Sequence, residues 1–450
     1  MQQNQTEELG TLSVGKLLFK LAMPAIAAQI INLLYNLVDR MYIGHIAKVG
    51  KLALTGVGVC LPLIMLISAF AALVSMGSAP RASIFLGKGE KDNAEKTLGN
   101  SFSLLVIISL ILTITFFCFS KDLLLAFGAS ENTIDYAVSY MKIYSIGTIF
   151  VQLTLGLNAF ISAQGFAKVS MMTVLIGAVC NIILDPILIF GFNMGVSGAA
   201  LATILSQSLS MIWIIIFLTG KKTTLKRKNL ILSKSIVLPS IALGLAPFIM
   251  QSTESIIAVC FNSSLLRYGG DIAVGAMTIL TSVMQFSLLP LTGLTQGGQP
   301  ILSYNYGARK PERVKKAFKI LLISCLSYSI ILWSLAMLTP KSFVLIFNND
   351  PELLEFTAHA LRIYMALSGI FGIQIACQQS FIALGNAKTS LFLALLRKVI
   401  LLIPLIYIMP LLMENKTAAV FMAEPVADFI AVTTTAILFY IQFRKAMYEI

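Results

Sequence analysis

Three side chains in the first half of this sequence could hold a small cation or pass a proton: Asp39, Asn181 and Asp185. Asn181 and Asp185 stand at i and i+4, so a helix presents both from one face. Pro186 follows, and its ring and missing N–H release the carbonyl of Ile182 from the helix ladder. Carboxylates, an amide oxygen and a freed carbonyl form an all-oxygen donor set suited to a hard cation or a proton. Thr203 could add a hydroxyl. Asp39 closes a run, Leu21 to Val38, that contains no charge. A carboxylate at membrane depth costs roughly 2.5–3.5 kcal/mol on insertion scales, so a chain keeps one for a partner or a use. Two blander readings stand beside this one. Asp39 could reach the interface next to Arg40, and the Asn181–Asp185 face could be the packing surface of a proline-kinked helix.

The second half carries its own buried charges. Glu424 and Asp428 are again i and i+4, Arg397 and Lys398 are adjacent, and Glu254 stands in an apolar run. Opposite charges inside a membrane pair with one another, so a structural network including Glu254 is the first expectation. A second titrating site, or an anchor for a cationic substrate, is the other. Lys142 and Arg362 sit near helix ends, where long side chains snorkel to the interface. The six cysteines all fall in apolar runs without a C-x-x-C pair and are expected to be small buried hydrophobes. His45 and His359 are far apart and suggest no metal site. The 28 Phe and 19 Met suit an adaptable cavity, but membrane helices are rich in both, so ordinary packing is expected.

The elements that must position these residues are membrane helices. The chain is 57% hydrophobic and 12% charged, about half the charge of a soluble domain. Apolar runs of ~20 residues recur, the length that crosses ~30 Å of hydrocarbon as a helix. They do not alternate as barrel strands would. Twelve spans are read at 17–39, 53–77, 98–120, 134–161, 169–192, 197–219, 237–262, 272–296, 317–339, 356–383, 390–411 and 418–441. The first is too long for a signal-peptide core and is read as retained. Sorting the 33 Lys and Arg by these spans puts 22 on one side, including the stretch from Lys221 through Lys226, Arg227 and Lys228. Seven fall on the other: Arg40, Lys48, Lys51, Lys121, Arg267, Lys341 and Lys416. The positive-inside rule then places both termini in the cytoplasm. The formal charge of +13 therefore reflects orientation and contact with anionic lipid, not a nucleic-acid surface.

The sequence also repeats with an offset of 220. Gly77 and Pro80 match Gly297 and Pro300, Gly87 matches Gly307, Lys142-Ile143-Tyr144 matches Arg362-Ile363-Tyr364, and Gly165, Ala167, Lys168 and Ser170 match Gly385, Ala387, Lys388 and Ser390. Six spans per repeat is even, so the halves share one orientation, with a site expected between them or within each bundle. The division is 1–220, a basic linker at 221–235, and 236–450.

Four ordered runs carry a resemblance: Tyr35 to Gly44, Asn181 to Phe192, Gly195 to Thr203, and Gln296 to Ala308. The chain resembles the multidrug and toxic compound extrusion (MATE) family along essentially its whole length. That resemblance implies an all-α membrane protein: twelve transmembrane helices in two parallel-repeat six-helix bundles around a central cleft. It also implies secondary antiport by alternating access, exporting lipophilic, often cationic compounds against H+ or Na+, with no other cofactor and no ATP. Asp39, Asn181 and Asp185 match the family's first-half site, with Thr203 a neighbour and Pro24 at the kink position of the first span. Glu254 matches an acidic position used by some sodium-coupled members. Those members also have an Asp on the tenth span, where this chain offers Gln374 and Gln378. Glu254, Gln374, Gln378, Glu424 and Asp428 thus form the candidate second-half or substrate site. A bacterial inner membrane is the expected location. A lipid-linked oligosaccharide flippase of the same superfamily and a non-transporting receptor are the alternatives. A major facilitator would carry a G-x-x-x-D-R-x-G-R-R loop, where GKGEKDNAEK stands. H-E-x-x-H, G-x-S-x-G and Walker-type motifs are missing from the sequence, so neither an enzyme nor an ATP-driven pump is expected.

Overall fold

The structure is a computed structural model that describes residues 4–46, 49–226, 230–347 and 350–450. Lys48, Arg227 and Lys228, counted above in the charge sorting, lie outside the described residues. A short helix, α1 (Asn4–Thr11), precedes the long α2 (Val14–Gly44), α3 (Gly50–Gly87) and α4 (Lys91–Cys118). The first half continues through α5 (Ser120–Ala126), α6 (Ile134–Ile146), α7 (Thr148–Ala163), α8 (Ala167–Pro186) and α9 (Gly195–Thr219). The second half opens with α10 (Lys234–Gly307) and α11 (Pro311–Leu338), followed by α12 (Pro340–Leu345) and α13 (Pro351–Tyr364). It closes with α14 (Phe371–Ala383), α15 (Ala387–Leu395), α16 (Ile403–Leu412) and α17 (Lys416–Tyr448).

The span count follows from length and bends. Nine of the described helices are long and apolar enough to cross a membrane. Two bent pairs, α6 with α7 and α13 with α14, add two spans. Helix α10 is one of the nine, yet its 74 residues would reach about 110 Å as a straight rod. Inside it Gly270 adopts φ +66° and ψ −163°, a conformation open only to glycine. The chain reverses there, and side chains from both sides of the break, Phe261 and Leu265 with Ala276 and Leu280, share one core cluster. Helix α10 is therefore two spans, and the total is twelve.

The spans expected at 134–161 and 356–383 are not single straight helices. The first bends by 57° between α6 and α7 and the second by 48° between α13 and α14. At the first bend sits Gly147, whose Cβ would fall 2.1 Å from Ile204. At the second, Ser368–Ile370 forms one tighter turn. The cysteine reading also needs correction. Cys60, Cys260, Cys325 and Cys377 are buried, but Cys118 is exposed and Cys180 half-buried. Both lie in apolar runs whose outward face meets lipid, so an apolar run does not by itself bury a residue in protein.

The repeat is visible in three dimensions. Asn158 on α7 donates to the Ser170 carbonyl at 3.3 Å, and 220 residues later Gln378 on α14 donates to the Ser390 carbonyl at 2.9 Å. The halves meet on the side that carries α1 and the C-terminus. There α3 and α10 touch backbone to backbone. A Cβ on Gly87 would lie 2.0 Å from the Tyr304 carbonyl oxygen, and one on Gly307 would lie 2.0 Å from that of Ile84. These two contacts are images of each other under the repeat. One cluster on this side joins Leu17, Leu18 and Leu21 of α2 to Ile301, Val314 and Leu321 of the second half. Two other clusters each stay within one half, so the bundles keep separate cores away from the terminal seam.

Candidate functional site

The outer end of α2 brings Asp39 against α8. The Asp39 and Asp185 carboxyl groups face each other closely enough to act on one another's charge. Asn181, one turn back from Asp185, donates its Nδ2 to Asp185 Oδ1 at 3.3 Å. Asp185 is fully buried and Asn181 nearly so, while Asp39 is half-buried. Asp39 thus faces the bundle, not the interface beside exposed Arg40. Three oxygens of this group, Asp39 Oδ1, Asp185 Oδ2 and Asn181 Oδ1, have no hydrogen-bond partner among the described residues. Neither carboxylate is ion-paired to a Lys or Arg among them. Immediately after Asp185, Pro186 ends the regular helix and Ile187–Gly191 widens into a π-helical turn, a common device where helices carry function.

Tyrosines close the site. Tyr35 lies one turn before Asp39 and sits close to both carboxyls. Tyr140 of α6 is buried, stacks on Tyr144 with ring centroids 6.0 Å apart, and lies beside Thr203. Thr203 itself donates to the Ala199 carbonyl at 3.0 Å. Sequence reasoning missed Tyr35 and Tyr140. Tyr35 could have been found, since i and i+4 share a helix face, whereas Tyr140 arrives from a separate helix with no local signal.

Asn181, Thr203 and Tyr35 also line a cavity of ≈ 410 Å³ set mainly among α2, α3, α7, α8 and α9. Its wall is amide- and hydroxyl-rich, with Gln29, Asn32, Asn158 and Gln207 from the first half and Gln251 and Gln296 from the second. Among the described residues no Lys, Arg, Asp or Glu lines it, and it holds one Met and no Phe. The carboxyl pair lies just behind this wall.

The second half resolves its charges differently. Arg397 sits in a π-helical turn, Leu396–Leu402, between α15 and α16. Its Nε donates to Asp428 Oδ1 at 2.7 Å and its Nη2 to Glu424 Oε1 at 2.8 Å. Lys398 donates to Glu254 at 2.7 Å. Glu424, Asp428, Arg397 and Lys398 are all buried, and the Glu254 side chain is half-exposed. The Arg397 guanidinium lies 4.5 Å from the Phe371 ring centre. Gln374 and Gln378 stand beside it around a void of only ≈ 10 Å³, about the space of one water. Lys142 and Arg362 are exposed near helix ends, Lys142 over the Phe117 ring at 5.9 Å and Arg362 donating to the Met337 carbonyl at 3.2 Å.

A family model, MatE, matches residues 24–187 and 247–408, one stretch in each half. The chain belongs to the MatE family. It is a multi-pass membrane transporter of that family. Its curated relatives include the multidrug export protein MepA of Staphylococcus haemolyticus, 26% identical over 425 residues, 93% of this chain and 92% of that protein. MepA of Staphylococcus aureus strain NCTC 8325 is 26% identical over 401 residues, 88% and 87% of the two chains. Among solved structures, the MATE multidrug transporter DinF-BH is similar at 32% identity and a TM-score of 0.90, with 99% of each chain covered. An outward-facing multidrug resistance MATE transporter of the MOP superfamily matches at 22% identity and a TM-score of 0.90, again over 99% of each. The second of these speaks for the fold alone. Both stretches of the MatE match contain their half's buried charges up to α16, and the first takes in Asp39, Asn181 and Asp185 together.

Proposed function

We propose that this MatE chain exports lipophilic, often cationic compounds by antiport against H+ or Na+, with Asp39 and Asp185 as the coupling pair. The observation that carries the reading is two facing carboxyls with unpartnered oxygens and, among the described residues, no ion-paired cation, placed behind the wall of a cavity large enough for a small organic molecule. Two carboxylates in contact repel unless a proton or cation lies between them. Asn181 and Thr203 supply further oxygens for that ion, and the π-turn after Pro186 gives α8 freedom to adjust. The ion works only through unequal affinity for the two cleft orientations. One charge entering at 100 mV supplies ~2.3 kcal/mol, in addition to any concentration gradient. A cationic substrate in the cavity would compete for the same negative field. Since no basic side chain among the described residues lines the cavity, the flippase reading, which needs a cationic cavity for pyrophosphate, gains no support.

The moving bodies in this reading are residues 1–220 and 236–450, joined by the linker at 221–235, with both termini in the cytoplasm. The seam on the terminal side is then the cytoplasmic closure. Relatives named for multidrug export support the substrate class. The test is ethidium efflux from proteoliposomes under an imposed pH or sodium gradient. Asp39→Asn protein that is folded and inserted should lose gradient-driven efflux. Normal driven efflux by that variant would remove Asp39 from the mechanism.

A further inference from the structure

The segment ahead of the first span is ordered in an unusual place. Helix α1 lies across the seam between the halves and is bonded to both. Toward the first half and the linker bonded to it, Thr6 Oγ1 donates to the Gln164 carbonyl at 2.9 Å and meets the hydroxyl of linker residue Thr224 at 2.8 Å, whose N–H in turn donates to Gln164 Oε1. Gly165, at φ +90°, comes so close that a Cβ there would lie 3.1 Å from the Gln5 carbonyl oxygen. Toward the second half, the carbonyls at the end of α1 are capped by donors from α10, α11 and the loop between them. Asn305 donates to Leu9 at 2.8 Å, Lys310 to Gly10 at 3.0 Å, and Arg313 to Leu9 and Leu12 at 3.2 and 2.7 Å. Leu9 is fully buried and Thr6 is 6% exposed.

The two attachments differ in kind. Cations from the second half meet the negative end of α1, where helix dipole and charge reinforce each other. Gln164 and Thr224 hold α1 only through neutral groups; the charged link from α1 to the first half, Lys20 to Glu8, is to the start of α2, whose Leu17, Leu18 and Leu21 themselves pack on the second half. We propose that α1 is a latch on the terminal seam: it keeps the halves closed on that side, and when the seam opens it releases Gln164 and Thr224 while staying with the second half. The inference rests on the alternating-access reading above, but it concerns this seam and not the ion site.

The experiment places Thr6→Cys and Thr224→Cys in a chain whose six native cysteines are replaced by alanine. The two hydroxyls are in contact, so a disulfide should form under mild oxidation. The oxidised protein should transport ethidium at least tenfold more slowly, with full recovery on reduction, while each single-cysteine variant is unaffected by oxidant. Unchanged transport by the fully cross-linked protein would overturn the latch, as would failure of the disulfide to form. A second variant guards against a merely damaged fold. Thr224→Val removes the bond without the cross-link and should raise maleimide labelling of Leu17→Cys, placed in the same cysteine-free chain and fully buried in the cluster that joins the halves on this side, by two- to fivefold. Labelling that stays flat in Thr224→Val would also overturn it. Labelling reads the seam without ion or substrate, so its failure leaves the coupling proposal standing.

Discussion

The two halves share one helix order yet treat buried charge in opposite ways. In the first, Asp39 and Asp185 face each other with no ion-paired cation among the described residues and with oxygens left over, beside a cavity of ≈ 410 Å³. In the second, Glu424, Asp428 and Glu254 are matched by Arg397 and Lys398, and the adjoining void is ≈ 10 Å³. Arg397 stands 220 residues after Gly177, a residue that lines the first-half cavity. Where the first half leaves room, the second inserts a guanidinium. A duplicated scaffold can therefore leave the carboxyls of one copy without counter-ions among the described residues and match those of the other with its own. The difference lies in side chains, not in topology.

Four single substitutions, one of them with a two-residue rescue, would break or sharpen this contrast. Asp39→Asn should have the largest effect on transport, reducing gradient-driven ethidium efflux to the liposome background while the protein still inserts. Arg397→Met should act on stability instead, because it strands two buried carboxylates; the expected loss is about 3–5 kcal/mol, read as a lower melting temperature in detergent. Adding Glu424→Gln and Asp428→Asn should restore most of it. If Arg397→Met melts normally but stops transport, the second half is not the passive partner described here. Asn181→Leu leaves Asp185 without its amide donor and should slow driven efflux about tenfold, equivalent to ~1.4 kcal/mol, within the range for a hydrogen bond to a charged group. Lys398→Gln should cost least, about 1 kcal/mol or less, since its partner Glu254 is half-exposed and the pair is screened.

Much of the fold was legible because lipid imposes it. Twelve apolar runs, a shared offset of 220 and a one-sided basic bias gave the spans and the repeat, and the measured bends fall inside spans already drawn. The carboxyl–amide face of α8 could be read from its i, i+4 spacing, and the pairing of the second-half charges from the cost of leaving them alone. The bends were not legible, since Gly147 is shaped by Ile204 from a distant helix. Nor was α1. Eight residues with few apolar side chains do not hold a helix by themselves, and α1 exists through donors nearly 300 residues away, at Asn305, Lys310 and Arg313. Tyr140 was hidden for the same reason.

The paired glycines where α3 crosses α10 have a mechanical consequence. At Gly87 and Gly307 the helices rest on each other through bare main chain, with no knob set in a hole. Interlocked side chains would have to be lifted clear before the rods could turn. A smooth bearing of this kind would offer little side-chain resistance to any rolling of one rod on the other.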